Sequence, residues 1–202
     1  MFYAAGEHQA HGLPHDPFKA LVAPRPIGWI SAVSRDGAVN LSPYSFFNAF
    51  SGRPPIVGFS SEGAKDAVTF VAETGEFVCN IASLEFADPL SLTSAPLPRG
   101  TSEFAHAGLE MEPSRLVRPP RVRGIAAALE CRVLQILEPL DLAGAPAGCR
   151  LVLGQVVGFY IDERCIRDGR ADITRIRPLA RCGYADYAVV EHVFPLVRPA
   201  GG

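Results

Sequence analysis

The chain has 202 residues, of which 48% are apolar and 20% are charged, and its formal net charge is −2. This composition excludes a disordered chain, and the length suits one domain that needs no metal or disulfide to fold. The small net charge and the lack of a basic block argue against nucleic-acid binding.

Two further exclusions concern the membrane and the redox environment. No apolar run approaches the ~20 residues that span a bilayer, and the N-terminal stretch lacks a secretory signal. The cysteines are odd in number and form no CxxC pair, which disfavours a disulfide framework or a zinc ribbon. His8, His11 and His15 lie in a Gly- and Pro-containing leader without cysteine partners, so exposed loop histidines are favoured over a metal site. We expect a soluble, cytoplasmic protein.

The first half of the chain predicts strands and one helix. Residues 1–18 read as an irregular leader, and residues 27–42 as a hairpin whose turn is Asp36-Gly37. Residues 43–50 mix aromatic and small polar residues without the period of a helix or a strand, so we predict irregular structure there. A strand follows over residues 56–61, and a helix begins at Lys65-Asp66 and ends at Gly75.

The second half is dominated by strands. A strand over residues 77–82 precedes a short helix that Pro89 is expected to interrupt, and residues 96–121 read as a long surface excursion. Residues 126–137 and 150–162 predict two long strands joined by a turn region. Without a repeat or a composition shift, the chain predicts a single mainly β domain over residues 1–202, an antiparallel barrel with helical insertions.

Nucleotide and hydrolase motifs are missing from the sequence. There is no GxGxxG, no GxxxxGK[ST] and no G-x-S-x-G. Glu103 and His106, in the long excursion, could border an active site, but a surface-loop location is the simpler interpretation.

Lys65 and Asp66 open a helix directly after two serines. A helix N-terminus favours an anion, and Lys65 with Ser60 and Ser61 could hold a phosphate. The alternative is that Ser61 caps the turn and Lys65 is solvated, and the local sequence leaves both open.

The segment Tyr44–Asn48 presents a similar choice. Its aromatic and polar residues would suit a ligand with a planar apolar ring at one end and a phosphate at the other. Alternatively Phe46 and Phe47 are core residues, and Ser45 and Asn48 bond to their own loop.

Residues 24–83, from "PRPIGWIS" to "CNIAS", resemble the flavin reductase-like proteins with an FMN-binding split barrel, the relatives of flavoredoxin and of the nitrilotriacetate monooxygenase reductase component. The later segments "TSEFAHAGLEMEPS", "AALECRV" and "LARCGYADYAVV" resemble this family in the same order. The resemblance covers residues 17–191. It implies a split β-barrel of the antiparallel Greek-key type that forms a homodimer, with FMN near the dimer interface.

The resemblance also implies a set of FMN-binding residues and no catalytic residue. "RPIGWIS" would lie along the isoalloxazine, with the Ser31 hydroxyl near the redox-active nitrogen; "YSFFN" would line the ring edge and the ribityl-phosphate arm; "FSS" and "KD" would surround the phosphate. In the late motif "RCGYADY", Tyr184 stands where relatives have a second glycine. The implied residues are Arg25, Trp29, Ile30, Ser31, Ser45, Phe46, Phe47, Asn48, Ser60, Ser61, Lys65, Asp66 and Tyr187.

The function that the resemblance implies is an NAD(P)H:flavin reductase that supplies reduced flavin or electrons to a monooxygenase or redox-protein partner. Two alternatives stay open: a flavoredoxin-like electron carrier that keeps its FMN, and a flavin-binding barrel without catalytic activity. NADH and NADPH are equally compatible with the sequence.

Overall fold

A computed structural model describes residues 1–63, 65–98, 101–197 and 199. Short 3-10 helices lie at His8–His11, Leu84–Phe86 and Glu163–Cys165. The α-helices are α1 (Phe18–Leu21), α2 (Asp66–Thr74), α3 (Ala87–Leu92), α4 (Glu103–His106) and α5 (Ile173–Ile176). The strands are β1 (Arg25–Pro26), β2 (Gly28–Val33), β3 (Val39–Tyr44), β4 (Phe47–Gly52), β5 (Pro55–Glu62), β6 (Glu76–Ile81), β7 (Met111–Glu112), β8 (Arg121–Val122), β9 (Ala127–Leu137), β10 (Cys149–Ile161), β11 (Ile166–Arg167), β12 (Arg170–Ala171), β13 (Leu179–Gly183) and β14 (Asp186–Val189).

The main sheet has seven antiparallel strands in the order β3-β2-β6-β9-β10-β5-β4. The sheet curls, because β3 at one edge also packs near β5 close to the other. A smaller sheet, β1-β13-β14, continues from the start of β2. The predicted mainly β fold is therefore confirmed, as are the predicted hairpin, the α2 helix and the two long strands.

Two apolar clusters lie on opposite sides of the sheet. One packs α2 against the sheet through Val68, Phe59 and Phe77, and the other lies beneath the long excursion around Trp29 and Phe104. Gly75 ends α2 in the left-handed conformation with φ 71°, which glycine adopts without steric cost. α2, with nine residues the longest helix in the described part of the chain, is too short to cross a bilayer.

The long excursion is fastened to the sheet by buried polar side chains. Asn80 Oδ1 accepts a hydrogen bond from the Val122 amide at 2.9 Å. The Glu130 carboxylate accepts from the amides of Arg115 at 2.9 Å and Leu116 at 2.6 Å. The excursion also contains α4 and the β7-β8 pair, so it is more ordered and more buried than the sequence indicated.

Two local predictions were wrong. Residues 43–50 are not irregular, since β3 continues to Tyr44 and β4 begins at Phe47. β4 is an edge strand with Asn48, Ala49 and Phe50 all exposed, so it lacks the alternation by which strands are recognised. Pro89 does not interrupt a helix, because it lies in the first turn of α3, where its missing N–H costs no hydrogen bond.

Candidate functional site

Two neighbouring clefts contain most of the predicted site residues that reach the surface. We call them cleft A and cleft B. Cleft A, of about 550 Å³, is lined by residues 21–26, 45–48, 50, 60 and 151. Cleft B, of about 370 Å³, is lined by residues 40, 42–44, 65–66, 93–97 and 103. Tyr44 lines cleft B and the next residue, Ser45, lines cleft A, so the turn between β3 and β4 separates the two.

Cleft A has an aromatic wall beside a buried cation. The Phe46 ring lies 5.8 Å from the Arg25 guanidinium carbon and 5.7 Å from Lys19 Nζ. Phe47 packs against Gly28, where a Cβ atom would lie only 2.6 Å from Phe47 Cδ2. Gly28 is therefore needed because Phe47 approaches the β2 backbone closely.

Arg25 itself is 6% exposed, although it carries a full charge. Its Nη1 donates to the carbonyl oxygens of Lys19 and Val22, at the end of α1. Its Nε is buried and has no hydrogen-bond partner in the described residues.

Cleft B combines the start of α2 with buried hydroxyl and carboxyl groups. Lys65 occupies the N-cap position of α2, and its side chain makes no capping hydrogen bond. Burial raises the pKa of Tyr44 to about 12, while the neighbouring Ser61 hydroxyl lowers it by a smaller amount, so the phenol stays protonated. The hydroxyls of Tyr44 and Ser61 are buried, and in the described residues neither makes a hydrogen bond of good geometry.

Glu103 forms the inner wall of cleft B and is 8% exposed, so its expected surface-loop location was wrong. Its carboxylate accepts hydrogen bonds from Asn40 Nδ2 at 2.6 Å and from the Leu41 amide at 3.1 Å. Burial raises the pKa of this carboxyl, and the nearby Asp66 charge raises it further.

The predicted site residues fall into three groups. Cleft A brings together Arg25, Ser45, Phe46, Phe47, Asn48 and Ser60, and cleft B brings together Lys65 and Asp66. Ser61 is 1% exposed and points away from cleft A, because neighbouring residues of a strand face opposite sides. Ser60 and Lys65, predicted around one phosphate, therefore line different clefts.

The third group lies in the core or away from the clefts. The side chains of Trp29, Ile30 and Ser31 are fully buried. Trp29 Nε1 donates to Thr93 Oγ1 at 2.9 Å, and the Ser31 hydroxyl donates to the Pro120 carbonyl oxygen. The structure therefore does not bring these three side chains to a cleft surface, and the Ser31 hydroxyl is already committed to the excursion.

Tyr187 lies on β14, under the Arg181 guanidinium at 4.5 Å, and it lines neither cleft. Tyr184 forms the β13-β14 turn with φ 45°, and its side chain is 54% exposed. The bulky ring in place of the expected glycine thus extends from the turn.

The sequence analysis missed several residues that line the clefts. Asn40 and Ser42 both line cleft B, and their spacing of two in the predicted hairpin strand was the available signal. Phe50 and Leu151 of cleft A had no local signal, because they meet only through the pairing of β4, β5 and β10.

The curled seven-stranded sheet with its flanking clefts defines a split-barrel protein. Residues 21–174 match the family model described as "Flavin reductase like domain", and the chain belongs to that family. The chain is 32% identical over 183 residues to an uncharacterized protein of Halalkalibacterium halodurans, covering 88% of this chain and 87% of the relative.

Solved structures share the whole fold. Nitrilotriacetate monooxygenase component B from Bacillus cereus superposes with a TM-score of 0.87 at 26% identity, covering 97% of this chain and 98% of that one. Flavoredoxin of Desulfovibrio vulgaris (Miyazaki F) superposes with a TM-score of 0.75 at 20% identity, covering 99% of this chain and 97% of that one. These likenesses establish the split-barrel fold of the flavin reductase-like proteins.

Proposed function

We propose that this protein is an FMN-binding oxidoreductase, an NAD(P)H:flavin reductase that supplies reduced flavin or electrons to a monooxygenase or redox-protein partner. One observation carries the proposal. In this member of the flavin reductase-like family, the aromatic cleft A and cleft B, which lies beside a helix N-terminus, are adjacent, because Ser45 lines the first and the preceding residue Tyr44 lines the second. FMN has the matching chemistry, a planar ring joined to a phosphate.

The ring end of FMN fits cleft A. Its volume of about 550 Å³ is that of an ordinary small-molecule site. The Phe46 and Phe47 rings offer flat apolar contact, and Ser45, Asn48 and Ser60 offer hydrogen bonds to the polar edge of the ring.

The phosphate end fits the start of α2, which borders cleft B. Lys65 supplies a positive charge, and the first turn of α2 supplies the positive end of the helix dipole. Asp66 contributes through its backbone at that turn, since its carboxylate would repel a phosphate. The buried hydroxyl of Tyr44, which lines cleft B, has no hydrogen-bond partner of good geometry in the described residues, which also suits an anionic or polyol ligand.

When bound, FMN supplies the two-electron chemistry, and this chain binds and orients the reactants. The net reaction oxidises NAD(P)H to NAD(P)+ and reduces FMN, with one further proton taken from solvent. No side chain is required as nucleophile or general acid, so we assign no catalytic residue.

We further propose that the chain acts as one cytoplasmic domain and forms a homodimer. An apolar strip formed by Phe50, Leu137, Leu151 and Leu153 follows the outer face of the sheet beside cleft A. Phe50 is 57% exposed and Leu137 is 41% exposed, and a second copy covering the strip would also border cleft A. Sedimentation of the FMN-loaded protein should give twice the chain mass; a monomer at micromolar concentration would contradict the dimer.

The experiment that tests the function is an anaerobic titration of the FMN-loaded protein, first with NADH and then with NADPH. Loss of the visible flavin absorbance with either donor supports the reductase. If only a reduced redox protein bleaches the flavin, the protein is a flavoredoxin-like carrier. If no donor bleaches bound FMN, the barrel only binds flavin, and protein that takes up no FMN contradicts the whole proposal.

A further inference from the structure

Arg25 lines cleft A, and two further cations, Lys19 and Arg181, lie close to it outside the cleft lining; the described residues do not neutralise this charge. Arg25 is almost fully buried, and Lys19 is exposed, with its Nζ 5.7 Å from the Phe46 ring that the Arg25 guanidinium also approaches. Arg181 is the direct cross-strand partner of Arg25 in the β1-β13 pair. In the part of the chain that the structure describes, none of these three cations makes an ion pair with Asp or Glu.

Such an arrangement is unfavourable unless an anion is bound. Like charges directly opposite each other in a sheet repel, and a buried charge without a counter-charge destabilises the fold. The carbonyl oxygens of Lys19 and Val22 satisfy only part of the Arg25 guanidinium, because its buried Nε has no partner. Arginine is the side chain best suited to bind phosphate oxygens, and Arg25 lines the open cleft A.

We propose that Arg25, assisted by Lys19 and the field of Arg181, binds the diphosphate of the nicotinamide dinucleotide that donates electrons. The inference rests on the proposed function, and it assigns the donor-binding site to the Arg25 side of cleft A. Arg25 and Lys19 together match the two negative charges of a diphosphate better than they match a single carboxylate. The Phe18 ring stacks on the Phe46 ring with 6.5 Å between centroids and is 55% exposed, so its outer face offers a stacking surface to a base of the dinucleotide.

The test compares two electron donors on the FMN-saturated protein. NADH carries the diphosphate, whereas 1-benzyl-1,4-dihydronicotinamide has the same reacting ring and no charge. Arg25→Gln should lower kcat/KM for NADH by roughly 10- to 100-fold, the range for a lost charge-assisted hydrogen bond. The loss should be at least roughly tenfold smaller with the uncharged donor. Lys19→Gln, at an exposed position, should lower kcat/KM for NADH by roughly two- to fivefold.

Equilibrium binding provides a readout that does not depend on turnover. Calorimetric titration with inorganic pyrophosphate and with ADP-ribose should show binding to the wild type and weaker binding to Arg25→Gln. Arg170→Gln removes the same charge at an exposed site outside both clefts, and it should match the wild type in every assay.

Three results would overturn the assignment. Equal losses with the two donors would mean that Arg25 acts through the structure of the cleft. If Arg25→Gln loses more affinity for FMN than for riboflavin, relative to the wild type, the guanidinium binds the cofactor phosphate instead. Unchanged binding of ADP-ribose would exclude a diphosphate site. If Arg25→Gln does not fold, Lys19→Glu is compared with the wild type instead, using the same two donors. Lys19 is exposed, and its reversed charge should lower kcat/KM for NADH more than kcat/KM for the uncharged donor. Binding of FMN is measured separately in each variant, so failure of the cofactor proposal is distinguishable.

Discussion

The contact between Gly28 and Phe47 provides a sharp test of how cleft A is built. A Cβ atom at residue 28 would lie 2.6 Å from Phe47 Cδ2 and 2.8 Å from its Cγ, closer than carbon atoms pack. Gly28→Ala must therefore displace the Phe47 ring or the β2 backbone. Overpacking of this kind costs about 1–3 kcal/mol of the free energy of unfolding.

The expected effect is measurable in a chain of this size. For 150–250 residues, each kcal/mol lowers the melting temperature by about 2–4 °C, so Gly28→Ala should melt roughly 2–12 °C below the wild type. Gly52→Ala is the matched control, since Gly52 is also a strand glycine and its Cβ would meet no atom within 4 Å. Thermal unfolding and urea titration check both variants, and FMN affinity should fall in Gly28→Ala alone.

A double-mutant cycle locates the cause. Adding Phe47→Leu to Gly28→Ala should recover part of the lost stability, because the smaller side chain removes the clash. If Gly28→Ala has the same stability and FMN affinity as Gly52→Ala, the close packing of Phe47 on β2 is refuted. The described wall of cleft A would then be wrong as well.

The remaining predictions concern buried groups. Glu103→Ala should lower the free energy of unfolding by about 2–6 kcal/mol, because it leaves Asn40 Nδ2 and the Leu41 amide buried without an acceptor. A urea titration measures this loss, and a loss under about 1 kcal/mol would contradict the buried hydrogen bonds. Burial raises the pKa of Glu103 above its ordinary value of 4.5, so its contribution to stability should be fully present below pH 4.5 and lost as pH rises through the raised pKa. Glu103→Gln should flatten that part of the pH–stability curve. An unchanged slope in this variant would refute the assignment. The thiols of Cys79 and Cys131 are buried with raised pKa values, so a thiol reagent should modify them only after unfolding, and rapid modification of folded protein would contradict their burial.

The sequence predicted the parts of the fold that local patterns encode. Asp36-Gly37 marks a turn because glycine reaches φ 90° freely, and Gly75 ends α2 for the same reason. The edge strand β4 was missed because both of its faces are exposed at Asn48, Ala49 and Phe50, so it has no buried period of two.

The site was predictable only in part. The segments around Phe46 and Lys65 were identified, since aromatic residues in a polar run and a cation at a helix start are visible locally. The burial of Ser31 and Glu103 was not, because each bonds to a residue distant in the chain, Pro120 and Asn40 respectively. No spacing rule reveals such long-range partners.

The central claim is that FMN binds with its phosphate at Lys65. The most direct test is an equilibrium titration of the wild type and of Lys65→Ala with FMN and with riboflavin, in which flavin fluorescence reports binding. The wild type should bind FMN, and Lys65→Ala should weaken FMN binding by roughly 10- to 100-fold, which corresponds to the loss of about 1.5–3 kcal/mol for a charge-assisted contact. Riboflavin, which lacks the phosphate, should lose far less affinity. Equal losses for the two ligands would remove Lys65 from the phosphate site, and a wild type that binds neither would contradict the flavin assignment itself.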